Sequence, residues 1–114
     1  MVTASGLSWG YDLSGVLTGY ALSDTTGNGI VYESHLYPWK GLWQARVGNI
    51  AQSHPVILGE FGHPGGTTFN GQTFSPPEVW VPKVTSWVDT HNLNWTGYSL
   101  HPSSAPVMIT DWNF

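Results

Sequence analysis

The sequence predicts an α/β fold: a parallel four-stranded sheet built from (β/α) units, forming half of a barrel. Three observations lead there. Four short apolar runs, rich in β-branched or aromatic residues, are each followed by Gly, Pro or His. Stretches of helical periodicity separate the later runs, and only a crossover of that kind returns the chain to start a parallel neighbour. The run Val56, Ile57, Leu58 is apolar on both faces, as expected of a strand held between a helix layer and a barrel interior. Helices on one side only would leave the other face and both sheet edges bare, so the pattern requires a second half.

In chain order, "GLSWGYDL" over residues 6–13 is expected to be the first strand and "GIVYESHLY" over 29–37 the second. "PVILGEF" over 55–61 is the third and "WTGYSLH" over 95–101 the fourth. The first connection, "SGVLTGYALSDTTGNG", has room for a short helix at Val16, Leu17, Tyr20 and Ala21. Its glycines favour a mostly looped crossover. The second, "KGLWQARVGNIAQSH", repeats Trp43, Val47, Ile50 and Ala51 at helical spacing. In the third, "SPPEVWVPKVTSWVDTHN", Ser75 is placed to cap, prolines suit the first turn, and Trp80, Val84, Trp87 and Val88 form the apolar stripe. The tail "PSSAPVMITDWNF" carries two prolines and leaves the terminal helix incomplete.

Composition limits the function. The chain has 114 residues, the size of one small domain, here residues 1–114, and 40% of them are hydrophobic against 9% charged, which fits a packed core. The net charge is −4 with Lys40, Arg46 and Lys83 as its fixed cations, which argues against nucleic acid and anionic membrane surfaces as partners. Cysteine is absent, no apolar run reaches membrane-spanning length, and "MVTASG" has neither a basic region nor an apolar signal core, so no compartment is assigned. The five histidines form no metal-ligand spacing, and no phosphate-binding glycine loop or serine elbow is present, so neither metal nor cofactor is expected.

One charge interrupts the strand pattern. Glu60 ends the third apolar run and is followed by "FGHPGG", a spacing that by itself reads more readily as a solvated turn than as a reacting group. His35 and Tyr37 share a face of the second strand with Glu33, which is either a lumen carboxylate or a hydrogen-bonded structural one. Of the seven tryptophans, Trp43, Trp80 and Trp87 belong to helical stripes. Trp39 and Trp112 are left as candidate stacking platforms for a sugar ring. Asp12 is a rim group or a turn residue. "NWT" at 94–96 has the form of a glycosylation acceptor but runs into an expected strand.

"WGYDLSG", "YESHLYPW", "ILGEFG" and "NWTGYSLHPSSAPVMITDWNF" together resemble the C-terminal half of family five glycoside hydrolases, the cellulase-type (β/α)8 or TIM barrels. The resemblance implies that the four strands are the fifth to eighth of a barrel, with Glu60 as catalytic nucleophile and His35 and Tyr37 as its catalytic neighbours. It implies a β-glucan or oligosaccharide as ligand, bound by Trp39, His63 and Trp112. The family's acid/base glutamate lies in an Asn-Glu motif on the fourth strand, and this sequence contains no such dipeptide. The implied protein is therefore a half barrel with weak or no activity alone, completed to eight strands as a homodimer. The competing expectation is a non-catalytic structural or glucan-binding module.

Overall fold

The computed structural model describes residues 1–113. Its main sheet has four parallel strands in the order β1 (Val2–Ser5), β2 (Ile30–Leu36), β3 (Val56–Phe61) and β6 (Asn94–Gly97). A two-stranded antiparallel hairpin, β4 (Thr68–Phe69) and β5 (Gln72–Thr73), follows β3. The α/β half-barrel architecture expected from the sequence is present; β1 and β6 are open edges and the barrel is not closed within these residues.

Period-two alternation divides each central strand between two environments. On β2, Tyr32, Ser34 and Leu36 are buried beneath the helices, while Glu33 and His35 lie half-buried on the opposite face. On β3, Val56, Leu58 and Phe61 fill the same core. Against them pack Val47 and Ile50 from the 43–51 helix and Trp80, Val84 and Val88 from the Pro77–Thr90 helix, whose four-residue spacing makes one buried stripe. Ser34 is the buried polar residue of this layer, and its hydroxyl donates to the Tyr11 carbonyl at 2.8 Å.

Several boundaries differ from the sequence reading. The first strand is Val2–Ser5, and the expected strand at 6–13 is a tight reversal in which Ser8, Trp9 and Gly10 all take positive φ, 57°, 57° and 76°. Its closure is backbone to backbone, with Leu7 and Asp12 exchanging N–H···O bonds of 2.9 and 2.8 Å. The fourth strand stops at Gly97 rather than reaching His101. The 14–29 crossover is mostly loop, with a single 3-10 segment, Ser14–Thr18. The helix at 43–51 forms around a π-helical stretch, Gln44–Gly48. Pro76, not Ser75, is the N-cap of the Pro77–Thr90 helix, and no side chain caps it; Pro77 suits the first position, where its missing N–H costs no intrahelical bond. Residues after Gly97 form no further helix among those described.

Candidate active site

In a parallel sheet of this kind the carboxyl ends of the strands point toward one mouth, where the connections form a cleft. Here that cleft has a volume of about 1170 Å³ and lies between the 7–12 reversal, the loop after β2 and the β4–β5 hairpin. Glu60 and His35 face each other across the β2–β3 register, in which a shift between Ser34 and His35 brings the two side chains level.

The polar groups form a chain across three strands. The Tyr37 hydroxyl donates to Glu60 Oε2 at 2.7 Å, and His35 Nδ1 lies 3.4 Å from the same oxygen. On its other side His35 Nε2 stands 3.7 Å from Glu33 Oε1, while the Ser5 hydroxyl donates to Glu33 Oε2 at 2.5 Å. Burial, the bond to Glu60 and the charges of Glu60 and Tyr98 all push the Tyr37 phenol well above its ordinary range, so it stays a donor. Glu60 thus has one oxygen fixed by Tyr37, its backbone held by a buried strand, and its side chain about 30% exposed, lining the cleft.

Two glycines make this arrangement sterically possible. A Cβ on Gly10 would stand 2.6 Å from His35 Nδ1, so the reversal lies flat against the imidazole face. A Cβ on Gly59 would overlap the Glu33 carboxylate. The glycine inside "ILGEFG" therefore makes room for a charged side chain on the neighbouring strand.

The other expected site residues sit as follows. Trp39 lines the cleft, but both its faces are covered: Tyr37 stacks on one at 4.8 Å and 2°, and Phe69 on the other at 4.3 Å and 22°. His63 anchors the loop after β3, with its Nε2 2.9 Å from the Ser75 carbonyl and its Nδ1 accepting from the Gly65 N–H at 3.1 Å. Trp112 lies in the irregular tail, edge-on to His101, and does not line the cleft. Asp12 serves the reversal, with Oδ2 2.6 Å from Arg46 Nη1 and Oδ1 accepting from the Ser14 N–H at 2.9 Å.

Trp9 is the residue the sequence reading missed. Its indole is 89% exposed and lines the cleft, with the Lys40 ammonium 5.8 Å from the ring centroid. Lys40 also donates to the Ser8 carbonyl at 2.9 Å and lies 5.2 Å from the Tyr11 ring, tying the reversal to the loop after β2. Burial pushes the Lys40 ammonium below its usual range. The signal was present in "SWG", where Trp precedes a Gly that opens a turn; reading the stretch as a strand hid it. Among the described residues no three His, Asp or Glu side chains gather to hold a metal ion.

A half barrel with a carboxylate at the mouth of its third strand, bonded by a tyrosine from the second, defines the class of this chain as an open piece of a (β/α)8 barrel. Comparison with known proteins then makes the likeness specific. The chain is 27% identical over 126 residues to an endoglucanase of Paenibacillus polymyxa, covering 91% of this chain and 30% of that protein. The native β-glucanase of Saccharophagus degradans shares its fold with a TM-score of 0.79 at 24% identity, covering 98% of this chain and 36% of that one. The same β-glucanase in complex with cellotetraose gives a TM-score of 0.78. A cellulase–inhibitor complex gives 0.62 at 20% identity, over 87% of this chain. No protein-family model matches. The chain spans about a third of the length of the relatives it matches. The resemblance to family five glycoside hydrolases read from the motifs is borne out.

Proposed function

We propose that the chain is the nucleophile-bearing half of a retaining β-glucan hydrolase. The observation that carries this reading is the 2.7 Å bond from the Tyr37 hydroxyl to Glu60 Oε2 at the carboxyl end of β3, inside the cleft. It fixes one carboxylate oxygen and leaves the other to attack the anomeric carbon. The Glu60–carbon bond forms as the glycosidic bond breaks, and a second carboxylic acid, about 5–5.5 Å away in retaining enzymes, protonates the departing oxygen. Water then releases the sugar from Glu60, with that second group acting as base. The second carboxylate comes from the part of the barrel that completes the sheet. The exposed Trp9 indole offers a stacking face for a pyranose ring of the bound chain. The complex of the similar Saccharophagus β-glucanase with cellotetraose supports a β-linked oligosaccharide as ligand.

In the isolated chain the open edges pair in a twofold homodimer, β6 of each copy against β1 of the other, giving eight strands. Such a pair supplies a second Glu60 in place of an acid/base from a different strand, so its hydrolysis is expected to be slow. Light scattering across a dilution series tests the pairing: the expected mass is twice the 12.5 kDa of the chain. A folded monomer at all concentrations overturns it.

The functional test compares the chain with its Glu60→Gln variant, measuring release of reducing ends from a soluble β-glucan and affinity for cellotetraose. Loss of hydrolysis with binding kept is the expected result. If the substitution changes neither hydrolysis nor binding, Glu60 is a structural carboxylate and the reading fails.

A further inference from the structure

The β4–β5 hairpin is shaped for a task that the catalytic reading does not use. Its turn is Asn70–Gly71, with φ of 48° and 76°, the two-residue connection whose twist matches that of its strands. Its base is closed by the Phe74 N–H donating to the Thr67 carbonyl at 2.9 Å and by the His63 anchor described above. The hairpin is thus a firm protrusion, and its exposed Asn70 and Gln72 side chains line the cleft. A primary amide offers two donors and an acceptor, which suits a vicinal diol. The hairpin is also joined to the reacting carboxylate. Phe69 stacks on Trp39, Trp39 stacks on Tyr37, and the Tyr37 hydroxyl bonds Glu60, so a column of three rings runs from the hairpin to the nucleophile's partner.

We propose that this hairpin is a sugar-hydroxyl-binding wall of the cleft, presented by Asn70 and Gln72, with Phe69 as a positioning residue that sets Tyr37 through Trp39. Its ligand class is a hydroxyl-rich β-linked glucan chain. The proposal deepens the β-glucan reading and rests on it.

Two measurements test it. Calorimetric titration with cellotetraose compares the chain with an Asn70→Gly, Gln72→Ala double variant; glycine keeps the left-handed turn while deleting the amide. Losing two or three neutral hydrogen bonds is expected to weaken binding at least tenfold. Unchanged affinity in the variant, with the parent binding, overturns the wall and leaves the β-glucan reading standing. No binding by the parent chain overturns both. The second measurement needs no ligand: hydrogen exchange of the Tyr37 hydroxyl proton, followed by NMR. Phe69→Ala and the milder Phe69→Leu are expected to speed that exchange, the first by tenfold or more, because the column loses its outer ring. Equal exchange in both variants and the parent overturns the positioning role.

Discussion

Gly59→Ala offers a direct test of how the lumen side of the sheet is organised. Gly59 lies on β3 between the fully buried Leu58 and Glu60, and a methyl group there would stand 2.5 Å from Glu33 Cδ and 2.6 Å from its Cγ. Something has to move, and the buried strand cannot do so cheaply. The Glu33 side chain therefore swings away, giving up the 2.5 Å bond from the Ser5 hydroxyl and its approach to His35. A hydrogen bond to a charged group contributes about 1.5–3 kcal/mol, toward the lower end here because Glu33 is 24% exposed. Alanine returns about 0.5–1 kcal/mol by restricting the unfolded backbone, so a net loss of about 1 kcal/mol is expected. The decisive assay is a double-mutant cycle by urea unfolding over the parent, Gly59→Ala, Glu33→Ala and the double variant. In the Glu33→Ala background the new methyl enters space the carboxylate has left, so Gly59→Ala should be neutral or stabilising there. An equal loss in both backgrounds would show that the Gly59 constraint comes from the backbone and not from Glu33.

Three further outcomes follow from the same geometry. Gly10→Ala combines a φ of 76° with a methyl 2.6 Å from His35 Nδ1, so it should lower stability by about 2 kcal/mol in urea melts and displace the His35 ring resonances. Trp9→Ala should leave the unfolding free energy in urea within about 0.5 kcal/mol, since Trp9 is 89% exposed, yet weaken cellotetraose binding about three- to tenfold by calorimetry. Burial pushes the Asp12 carboxyl up, but the Ser14 hydroxyl and amide and the Arg46 guanidinium outweigh it and hold it below the ordinary 3.8. A carboxyl depressed in the folded state contributes stability that is fully present above the unfolded value and lost as pH falls through the folded one. Urea stability should therefore decline below about pH 4, and Arg46→Met should reduce that decline by under about 1 kcal/mol, the pair being partly exposed.

What could be read from the sequence followed the strength of its local periodicity. β2 and β3 were placed within a residue because their alternating buried faces and their Gly and Pro flanks agree. The same parity put Glu33, His35 and Tyr37 on one side of the strand, and Glu60 at the end of the next. β1 was missed because Val2–Ser5 is almost wholly exposed and carries no alternating pattern. The aromatic-rich 6–13 segment next to it has strand-like composition but uses three consecutive left-handed residues to reverse direction. The functions expected of Trp39 and His63 were drawn from residue type near the site. Their surroundings depend on the loop 62–75, which folds back so that Phe69 covers one indole face and Ser75 takes the imidazole N–H. Contacts of that length are set by tertiary closure, which periodicity does not report.

The two faces of β2 and β3 explain how a chain this small holds the Glu60 carboxylate in place. One face is continuous with the core: Leu36 and Leu58 are fully buried among Val47, Ile50 and Val84, so the backbone under His35 and Glu60 is as rigid as any part of the molecule. The other face carries the polar chain from Ser5 through Glu33 and His35 to Glu60 and Tyr37, which begins at the open β1 edge and ends at the β4–β5 hairpin. Carboxylates on an uncovered face stay hydrated at little cost. Once four more strands close over them, each must be matched by a donor, because unpaired buried charge is strongly disfavoured. Ser5 and Tyr37 already supply such donors to Glu33 and Glu60, with His35 beside both carboxylates, so the face would tolerate closure by a complementary half. A complement that brings only apolar side chains would then close over Glu33 and Glu60 without unfolding the sheet, whereas the same complement on a Ser5→Ala, Tyr37→Phe chain should bind more weakly, by about tenfold for each donor lost. Equal binding to both chains, measured with a four-stranded complementary half, would show that the polar chain has no part in closure.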